Sequence, residues 1–272
     1  MQAPVRSTPA NAILLREAIG PIAIVTLNRP QARNSLSEDL LAALSAELAA
    51  IAGDPGVRAV VLAANGPAFC AGHDMRELLA RRADPDGGRA YFAQLMDQCC
   101  AVMLAIVRLP QPVIAAVQGA ATAAGCQLVA TCDLAVASAA AGFCTPGVNI
   151  GLFCSTPMVA LSRDVSRKHA MEMLLTGDTI SADGAKRIGL VNRVVARGQE
   201  REEAIALARK IASKSAATVK LGKEAFYAQN EMNLADAYRY ASRVMAENMM
   251  MHDAAEGIGA FLEKRNPAWE DR

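Results

Sequence analysis

The sequence has 272 residues, of which 53% are hydrophobic and 20% are charged, with 28 lysines and arginines against 27 aspartates and glutamates. This composition excludes a disordered chain and supports a globular protein with one compact core. The balanced charge excludes the basic surface of a nucleic-acid or anionic-membrane binder, so we expect neither partner. Residues 1–11 lack a long apolar stretch and predict a flexible N-terminus. We expect a soluble, cytoplasmic protein.

Cysteine and histidine contents argue against disulfides and metals. The seven cysteines are odd in number and none is spaced C-x-x-C, which favours buried free thiols in a reducing compartment. The three histidines, His73, His169 and His252, do not form an H-E-x-x-H pattern. The sequence therefore predicts no metal site.

The N-terminal part alternates strands and helices. Residues 13–18 and 22–28 read as two strands separated by a Gly-Pro turn, which predicts a hairpin. Ser37 precedes leucines at helical spacing and can cap an amphipathic helix. The near-continuously apolar run 58–63 predicts the next strand. A crossover of this length implies parallel pairing in an α/β fold.

Two loops follow strands in the centre of the chain. The loop 66–74 ends at Asp74, which can cap a helix that begins at Met75. The loop 119–126 follows the strand 113–117 and leads into a helix whose first N–H groups have no partner in the helix. Because ligands of α/β sheets bind beyond the strands' carboxyl ends, both loops are expected to face one crevice. Free helical N–H groups there suit a developing negative oxygen.

The remaining sequence is mainly helical. Residues 89–109 predict a long helix and 190–195 a last strand, and further helices extend to the C-terminus. The Met-rich segment 245–251 favours a core or subunit contact over a cofactor site. We therefore divide the chain into a core, 12–196, and a C-terminal helical oligomerisation region, 197–272.

Five separated motifs follow one another in the sequence. They are LNRPQARNSLS (27–37), AFCAGHDM (68–75), PVIAAVQGAATAAGCQLVATCDLAVAS (112–138), LLTGDTISADGAKRIGLVNRVV (174–195) and FLEKRNP (261–267). In this order they resemble the crotonase superfamily, also called enoyl-CoA hydratase/isomerase, over about residues 22–267. The resemblance implies a spiral of ββα units with a C-terminal helical trimerisation region. It also implies a homotrimer or dimer of trimers and an acyl-CoA thioester as ligand.

The resemblance assigns roles to individual residues. The backbone N–H groups of His73 and Ala124 would form an oxyanion hole for the thioester carbonyl, with Ala124 where the family usually has glycine. The His73 imidazole would either face the substrate or simply be packed. The positions that resemble CoA-contacting residues are Arg29, Arg33, Ala71, Gly72, Asp74, Met75 and Arg76, with Phe261 and Lys264 reaching a neighbouring subunit's nucleotide. Coenzyme A would enter as part of the substrate, with no other cofactor.

The glutamate pair that the family's hydratases use for acid–base chemistry is missing. Gln127 and Gly147 stand at these two positions. Ser155 stands where some relatives have a catalytic aspartate, and it is either a nucleophile or polar lining of the acyl pocket. This combination resembles the enoyl-CoA hydratase domain-containing subgroup, whose members lack the pair.

Two functions remain open from the sequence. The first is a lyase, isomerase or hydrolase of fatty-acid and acyl-CoA metabolism. It keeps the oxyanion hole, lacks the usual acid–base pair and recruits Ser155, His73 or a bound water for proton transfer. The second is a protein of the same fold that binds acyl-CoA, or another protein, without turnover. Measurable consumption of crotonyl-CoA would separate the first from the second.

Overall fold

The structure is a computed structural model that describes residues 12–272, so the predicted flexible segment 1–11 lies outside the described part. The strands form two sheets. The strands are β1 (Leu14–Ile19), β2 (Ile22–Leu27), β3 (Ala59–Ala64), β4 (Ala68–Cys70), β5 (Val113–Val117), β6 (Ala120–Thr122), β7 (Leu134–Ser138), β8 (Gly142–Cys144), β9 (Ile180–Ser181) and β10 (Arg193–Val195).

The α-helices lie around and beyond these sheets. They are α1 (Glu38–Ala52), α2 (Met75–Arg81), α3 (Arg89–Arg108), α4 (Ala124–Thr131), α5 (Pro157–Asp164), α6 (Arg167–Thr176), α7 (Ala182–Ile188), α8 (Glu200–Ala212), α9 (Ala216–Gln229), α10 (Leu234–Met249) and α11 (His252–Glu263). Two short 3-10 helices, Pro30–Ala32 and Pro146–Ile150, lie in loops.

The larger sheet has six strands in the order β1-β2-β3-β5-β7-β10. Only the β1–β2 hairpin is antiparallel, and every later pairing in this sheet is parallel. All six residues of β2 and all five of β5 are buried, because helices cover both faces of the sheet. One face contributes to the main core, and the other packs against Ala204, Ile205 and Ala208 of α8.

The smaller sheet has four short strands in the order β4-β6-β8-β9. Each of β3, β5 and β7 in the larger sheet is followed by a short strand of the smaller sheet and then by a helix. This repetition is the expected spiral of ββα units, and the predicted α/β fold is confirmed. The short strands themselves were not predicted.

Side chains set the beginnings of the first two helices. The Ser37 hydroxyl accepts a hydrogen bond from the Leu40 N–H at 3.2 Å and caps α1. The Asp74 carboxylate accepts one from the Arg76 N–H at 3.2 Å and caps α2. Both caps agree with the sequence prediction, and the second fixes the end of the loop 66–74.

Among the described helices, α3 alone is long and apolar enough to cross a membrane by length and composition. Its buried residues are Leu95, Cys99, Val102, Met103 and Ile106. These side chains belong to the main hydrophobic core, and α3 packs against α1. One face of α3 therefore contributes to the core of the protein.

The C-terminal helices differ from the others in burial. No residue of α9 or α10 is buried, although these two helices pack against each other. Large apolar side chains on this layer are exposed, for example Tyr238 at 73% and Met250 at 86%. The division into a core, 12–196, and a C-terminal region, 197–272, stays a prediction. Helix α8 lies on the C-terminal side of that boundary but packs on the larger sheet.

Candidate active site

Gly119 and Gly125 allow the backbone of residues 119–125 to lie directly against the backbone of residues 67–70. An added Cβ at Gly119 would lie 2.2 Å from the Pro67 carbonyl oxygen, and one at Gly125 would lie 2.1 Å from the Cys70 oxygen. Neither distance is possible for a real side chain, since both neighbours are backbone atoms. The first turn of α4 therefore lies directly against β4, as the small residues of the sequence allow.

The two loops predicted to share a crevice lie against each other. Gly72 has φ +86°, and a Cβ on it would lie 3.0 Å from the Thr122 oxygen and 3.4 Å from the Ala124 nitrogen. The pairing of β4 with β6 holds the two loops in this position. The residue after Gly72 is His73, so the two amides named by sequence analysis belong to neighbouring turns.

The amides of His73 and Ala124 are both available as donors. Ala124 is the first residue of α4, so its N–H has no acceptor within the helix. Next to His73, the Leu36 N–H donates to the Gly72 oxygen at 2.7 Å and the Asp74 N–H donates to the Leu36 oxygen at 3.4 Å. Within residues 12–272 neither the His73 nor the Ala124 N–H has a hydrogen-bond acceptor.

Ala123 holds the second turn in an unusual conformation. Its φ is 49° and its ψ is −117°, a region that residues with a Cβ rarely adopt. The Ala123 N–H donates to the Cys144 oxygen at 2.9 Å, which ties the turn to the end of β8. The Ala124 N–H follows this anchored residue directly.

The His73 imidazole is partly buried, and its ring lies near the Leu36 backbone without a well-formed hydrogen bond. Both ring nitrogens are shielded from solvent and neither has a hydrogen bond among the described residues. Burial lowers the pKa of His73 below its ordinary value, so the ring is neutral at pH 7. A neutral ring with unpaired nitrogens beside the crevice can accept or donate a hydrogen bond to a ligand.

The Arg29 side chain is fixed by contacts with two other residues of the chain. Its guanidinium donates to the Ser35 carbonyl oxygen at 2.7 Å and forms an ion pair with Asp74 at 3.2 Å. Ser35 also donates its hydroxyl to Asp74 at 3.0 Å. Although burial raises the pKa of Asp74, the hydrogen bonds from Ser35, the Arg76 N–H and Arg29 bring it below its usual value. Arg29 thus stabilises the loop that carries His73.

Of the other predicted CoA-contacting residues, Arg33, Met75 and Arg76 are exposed, Ala71 is half-buried and Gly72 is buried. Arg33 is exposed with φ 51°, and no described residue pairs with its guanidinium. Its carbonyl oxygen accepts a hydrogen bond from the Ala71 N–H at 3.0 Å, which joins the two segments. Met75 is 45% exposed and Arg76 is also exposed. Of the two arginines after β2, Arg33 is the one free to meet an anion.

Gln127 and Gly147, where the resemblance would place the family's glutamates, are both buried. Gln127 is 4% exposed, and its Oε1 has no hydrogen-bond donor in the described chain. Gly147 is buried, and a Cβ there would lie 2.8 Å from the Leu152 oxygen and 3.0 Å from the Cys154 Sγ. The space beside Gly147 is therefore occupied by the turn 147–154 and by one thiol.

Ser155 and Cys154 differ sharply in environment. Ser155 is exposed, and its hydroxyl donates to the Phe153 oxygen at 3.3 Å. Cys154 is 7% exposed and sits next to Gly147. A serine or a cysteine in this segment could serve as a nucleophile, and the chain buries the cysteine and exposes the serine. Three cysteines (Cys126, Cys144 and Cys154) flank Gln127 and Gly147 in the sequence.

Phe261 and Lys264 lie at the end of α11. Phe261 is 81% exposed, and Lys264 is exposed with φ 56° at the helix C-cap. They belong to the C-terminal helical layer, where α11 packs on α10. Their predicted contact with a neighbouring subunit's ligand stays a prediction.

Within residues 12–272 no group of histidine, cysteine or acidic side chains is arranged to hold a metal ion.

Known proteins match this chain over most of its length. The family model described as enoyl-CoA hydratase/isomerase matches residues 17–272. A curated relative, the mitochondrial enoyl-CoA hydratase domain-containing protein 3 of Rattus norvegicus, is 47% identical over 90% of this chain and 80% of its own.

Solved structures agree with this match. The crystal structure of an enoyl-CoA hydratase of Mycobacterium smegmatis has a TM-score of 0.91 and 55% identity, covering 95% of this chain and 99% of that one. The structure of human enoyl-CoA hydratase domain-containing protein 3 has a TM-score of 0.90 and 45% identity, covering 95% and 100%. The fold and the subgroup suggested by the sequence motifs are thus supported by sequence and by structure.

The expectation of a cytoplasmic protein is wrong when judged by these relatives. The matched rat, human and mouse proteins are mitochondrial by name. The expectation rested on free thiols and on the composition of the first residues. Free thiols indicate only a reducing compartment and do not say which one.

The family match extends from residue 17 to the C-terminus. It includes both loops, the two unpaired amides, Gln127 and Gly147. The chain belongs to the enoyl-CoA hydratase/isomerase family.

Proposed function

We propose that this protein binds an acyl-CoA thioester whose carbonyl oxygen accepts hydrogen bonds from the backbone N–H groups of His73 and Ala124. The observation that carries the proposal is that these two amides, on adjoining turns, lack any acceptor in the described chain. Family membership supplies the ligand class, since the family is described as enoyl-CoA hydratase/isomerase.

The two amides suit an oxygen that becomes negative during reaction. Ala124 begins α4, so the partial positive charge of the helix N-terminus adds to its N–H. Ala124 is 1% exposed, and a donor in such a dry site interacts with charge more strongly than a donor in water. An enolate formed from the thioester would therefore be stabilised more than the thioester itself.

Efficient hydration by the family's glutamate route does not fit these residues. Gln127 keeps hydrogen-bonding atoms but does not exchange a proton near neutral pH, and Gly147 has no side chain. Loss of one general acid or base typically costs about a hundred- to ten-thousand-fold in rate. We propose that any turnover proceeds through enolate chemistry at the α-carbon and is not rapid addition of water.

The remainder of the ligand would follow the surface next to the crevice. Arg33 and Arg76 are exposed cations beside the two loops and are candidates for the CoA phosphates. Arg29 would act indirectly, by holding Asp74 and the loop of His73. Phe261 and Lys264 would meet the nucleotide of a neighbouring protomer in a homotrimer or a dimer of trimers.

The experiment is calorimetric titration of the protein with butyryl-CoA, combined with removal of one amide. Ala124→Pro deletes the N–H of the first residue of α4, because proline has no backbone N–H. Ala124→Ser changes the side chain but keeps the N–H and is the matched control. One hydrogen bond contributes about 0.5–1.5 kcal/mol, so the proline variant should bind about two- to tenfold more weakly.

Circular dichroism of the Ala124→Pro and Ala124→Ser variants establishes whether each is folded. Equal affinities of a folded Ala124→Pro variant and the wild type would contradict the oxyanion role of Ala124. Absence of butyryl-CoA binding by the wild type would contradict the proposed function as a whole.

The substituted glutamate positions favour a second candidate function, acyl-CoA binding without turnover. It predicts the same affinity for butyryl-CoA and the same loss in Ala124→Pro. It differs in predicting no conversion of any acyl-CoA above the uncatalysed rate, as judged by mass spectrometry of a thioester panel.

A further inference from the structure

We propose that Asp74 is a positioning residue of the site, whose carboxylate, held by Arg29 and Ser35, fixes the direction of the His73 N–H. The proposal rests on the proposed function, because it concerns one of the two amides assigned to the thioester carbonyl. It replaces the roles that the resemblance implies for Arg29 and Asp74, which are contacts with CoA.

The backbone on either side of His73 sets the direction of its N–H. The Leu36 N–H donates to the Gly72 oxygen at 2.7 Å, so the Gly72 carbonyl points toward Leu36. The described chain contains no cis peptide bond, and in a trans peptide the C=O of one residue and the N–H of the next point in opposite directions. The His73 N–H therefore points away from Leu36 and from the segment that carries it.

The second donor lies next to the same peptide. A Cβ on Gly72 would lie 3.0 Å from the Ala123 Cβ and 3.4 Å from the Ala124 nitrogen. The Ala124 amide is thus a direct neighbour of the residue whose carbonyl carbon bears the His73 N–H. Any rotation of this peptide changes the position of one donor relative to the other.

Backbone hydrogen bonds hold the two ends of this peptide unequally. The bond to the Gly72 oxygen is short, whereas the Asp74 N–H donates to the Leu36 oxygen at 3.4 Å, beyond the usual range for such a bond. The Asp74 carboxylate supplies a second restraint at this weaker end. Its Oδ2 accepts from the Ser35 hydroxyl at 3.0 Å and from the Arg29 guanidinium at 3.2 Å. Side chain and backbone of Asp74 therefore bind neighbouring residues of one segment.

The segment that holds Asp74 is itself anchored. Arg29 also donates to the Ser35 carbonyl oxygen at 2.7 Å, so both partners of the carboxylate are fixed to each other. Asn34, which is 0% exposed, accepts from the Arg29 N–H at 2.8 Å and donates to the Ala68 oxygen at 2.9 Å. Because Ala68 begins β4, the support of Asp74 is tied to the smaller sheet.

Charge and burial argue against contacts of Arg29 and Asp74 with CoA. Their side chains are 18% and 13% exposed and form an ion pair, so their charges largely cancel. A phosphate brought to this pair would be repelled by the carboxylate as well as attracted by the guanidinium. Arg33, by contrast, is exposed, and no described residue pairs with its guanidinium. The paired arginine suits a positioning role, and the unpaired one suits a phosphate.

The test compares the binding of butyryl-CoA with that of free CoA, which lacks the thioester carbonyl, by calorimetric titration. Asp74→Asn removes the charge but keeps an oxygen for the cap of α2. It should weaken butyryl-CoA binding by about two- to tenfold, the equivalent of one hydrogen bond, and leave the affinity for free CoA unchanged. Arg29→Met and Ser35→Ala each remove one contact of Oδ2 and should show the same selective loss.

The infrared stretching frequency of a ¹³C-labelled butyryl-CoA carbonyl is a readout that a merely structural role would not move. Asp74→Asn and Arg29→Met should raise this frequency toward its value in water, because a misdirected N–H polarises the carbonyl less. Arg29→Lys keeps the cation and should give a frequency between those of the wild type and Arg29→Met. Arg193→Met, which removes an arginine from the ion pair with Glu203, is the matched control and should keep the wild-type frequency.

Two outcomes overturn the proposal. Equal weakening of butyryl-CoA and free CoA binding in Asp74→Asn or Arg29→Met would show that these residues contact CoA itself. A wild-type carbonyl frequency in variants that circular dichroism shows to be folded would show that they do not direct the His73 N–H. Ser35→Ala, the smallest change in the cluster, decides between the same outcomes where Asp74→Asn does not fold.

The same samples separate this proposal from the proposed function. A wild type that binds no butyryl-CoA contradicts the proposed function. A wild type that shifts the carbonyl frequency, with variants that keep the full shift, contradicts only the role of Asp74.

Discussion

At the scale of single residues, the crevice depends on one strained alanine. Ala123 has φ 49° and ψ −117°, and its N–H is bonded to the Cys144 oxygen. A non-glycine residue in such a region costs about 1–3 kcal/mol. The surrounding contacts maintain this conformation, which sets the direction of the Ala124 amide.

Ala123→Gly should therefore stabilise the protein or leave it unchanged. Relief of about 1–3 kcal/mol of strain exceeds or matches the entropic cost of glycine, about 0.5–1 kcal/mol. Gly125→Ala is the opposing control, since its Cβ would lie 2.1 Å from the Cys70 oxygen, and it should be strongly destabilising. Urea unfolding measures both changes. A loss of more than about 1 kcal/mol in Ala123→Gly would show that Ala123 is not strained.

Several site residues could be placed from the sequence. Asp74 was identified as a helix cap, and the free N–H groups after Gly119 were identified from the first turn of a helix. The contact of Cys154 with Gly147 could not be predicted, because it depends on how the turn 147–154 folds back. The ion pair between Arg29 and Asp74 joins two segments that are far apart in sequence. No pattern in the sequence predicts this ion pair.

At the scale of elements, one buried charge cluster connects the helical layer to the core. Lys223 of α9 donates to Asp133 at 2.7 Å, to the Ile106 oxygen at 3.0 Å and to the Gln111 oxygen at 3.2 Å. Asp133 also accepts from the Tyr227 hydroxyl at 3.0 Å. The Lys223 side chain is 7% exposed and that of Asp133 is 15% exposed. This cluster fixes α9 at the beginning of β5, the end of that strand opposite the loop 119–126.

Lys223→Met should destabilise the protein by about 3 kcal/mol. Removing one partner of a buried ion pair leaves the other charge unpaired, which typically costs about 3–5 kcal/mol. We expect a loss of stability at the lower end of this range, because Asp133 still accepts hydrogen bonds from the Val113 N–H and the Tyr227 hydroxyl. Lys220→Met, at an exposed position of the same helix, should change stability by no more than about 0.5 kcal/mol. Equal unfolding midpoints for the two variants in guanidinium would refute this account of the cluster.

The strands of the larger sheet were predictable and those of the smaller sheet were not. The runs that became β2, β3 and β5 are four to six apolar residues bounded by turn signals. The strands β4, β6, β8 and β9 have only two or three residues each, too few for any period to show. Their pairing arises from tertiary contacts between successive ββα units.

At the scale of the whole molecule, the C-terminal layer exposes apolar side chains to solvent in the single chain. The most exposed large ones include Leu234 at 75%, Tyr238 at 73% and Met250 at 86%. Large apolar side chains exposed on one layer indicate an interface when they form a continuous patch. The predicted homotrimer or dimer of trimers stays a prediction, and sedimentation velocity tests it.

Met245→Asp should weaken such an assembly. Met245 is 60% exposed and lines a groove of about 340 Å³ between α9 and α10 together with Phe226 and Val244. Burying a carboxylate in an apolar contact is costly, so the variant should sediment as smaller species than the wild type. Glu247→Gln, also exposed on α10, is the control and should sediment as the wild type does. A monomeric wild type would contradict the prediction.

The central claim is that the main-chain amides of His73 and Ala124 polarise the carbonyl of a thioester without help from a carboxylate. The most direct measurement is the infrared stretching frequency of a ¹³C-labelled butyryl-CoA carbonyl bound to the protein. Two hydrogen bonds in a dry site should lower this frequency below its value in water, and Ala124→Pro should reverse part of the shift. A bound carbonyl that absorbs at its aqueous frequency in the wild type would contradict the account.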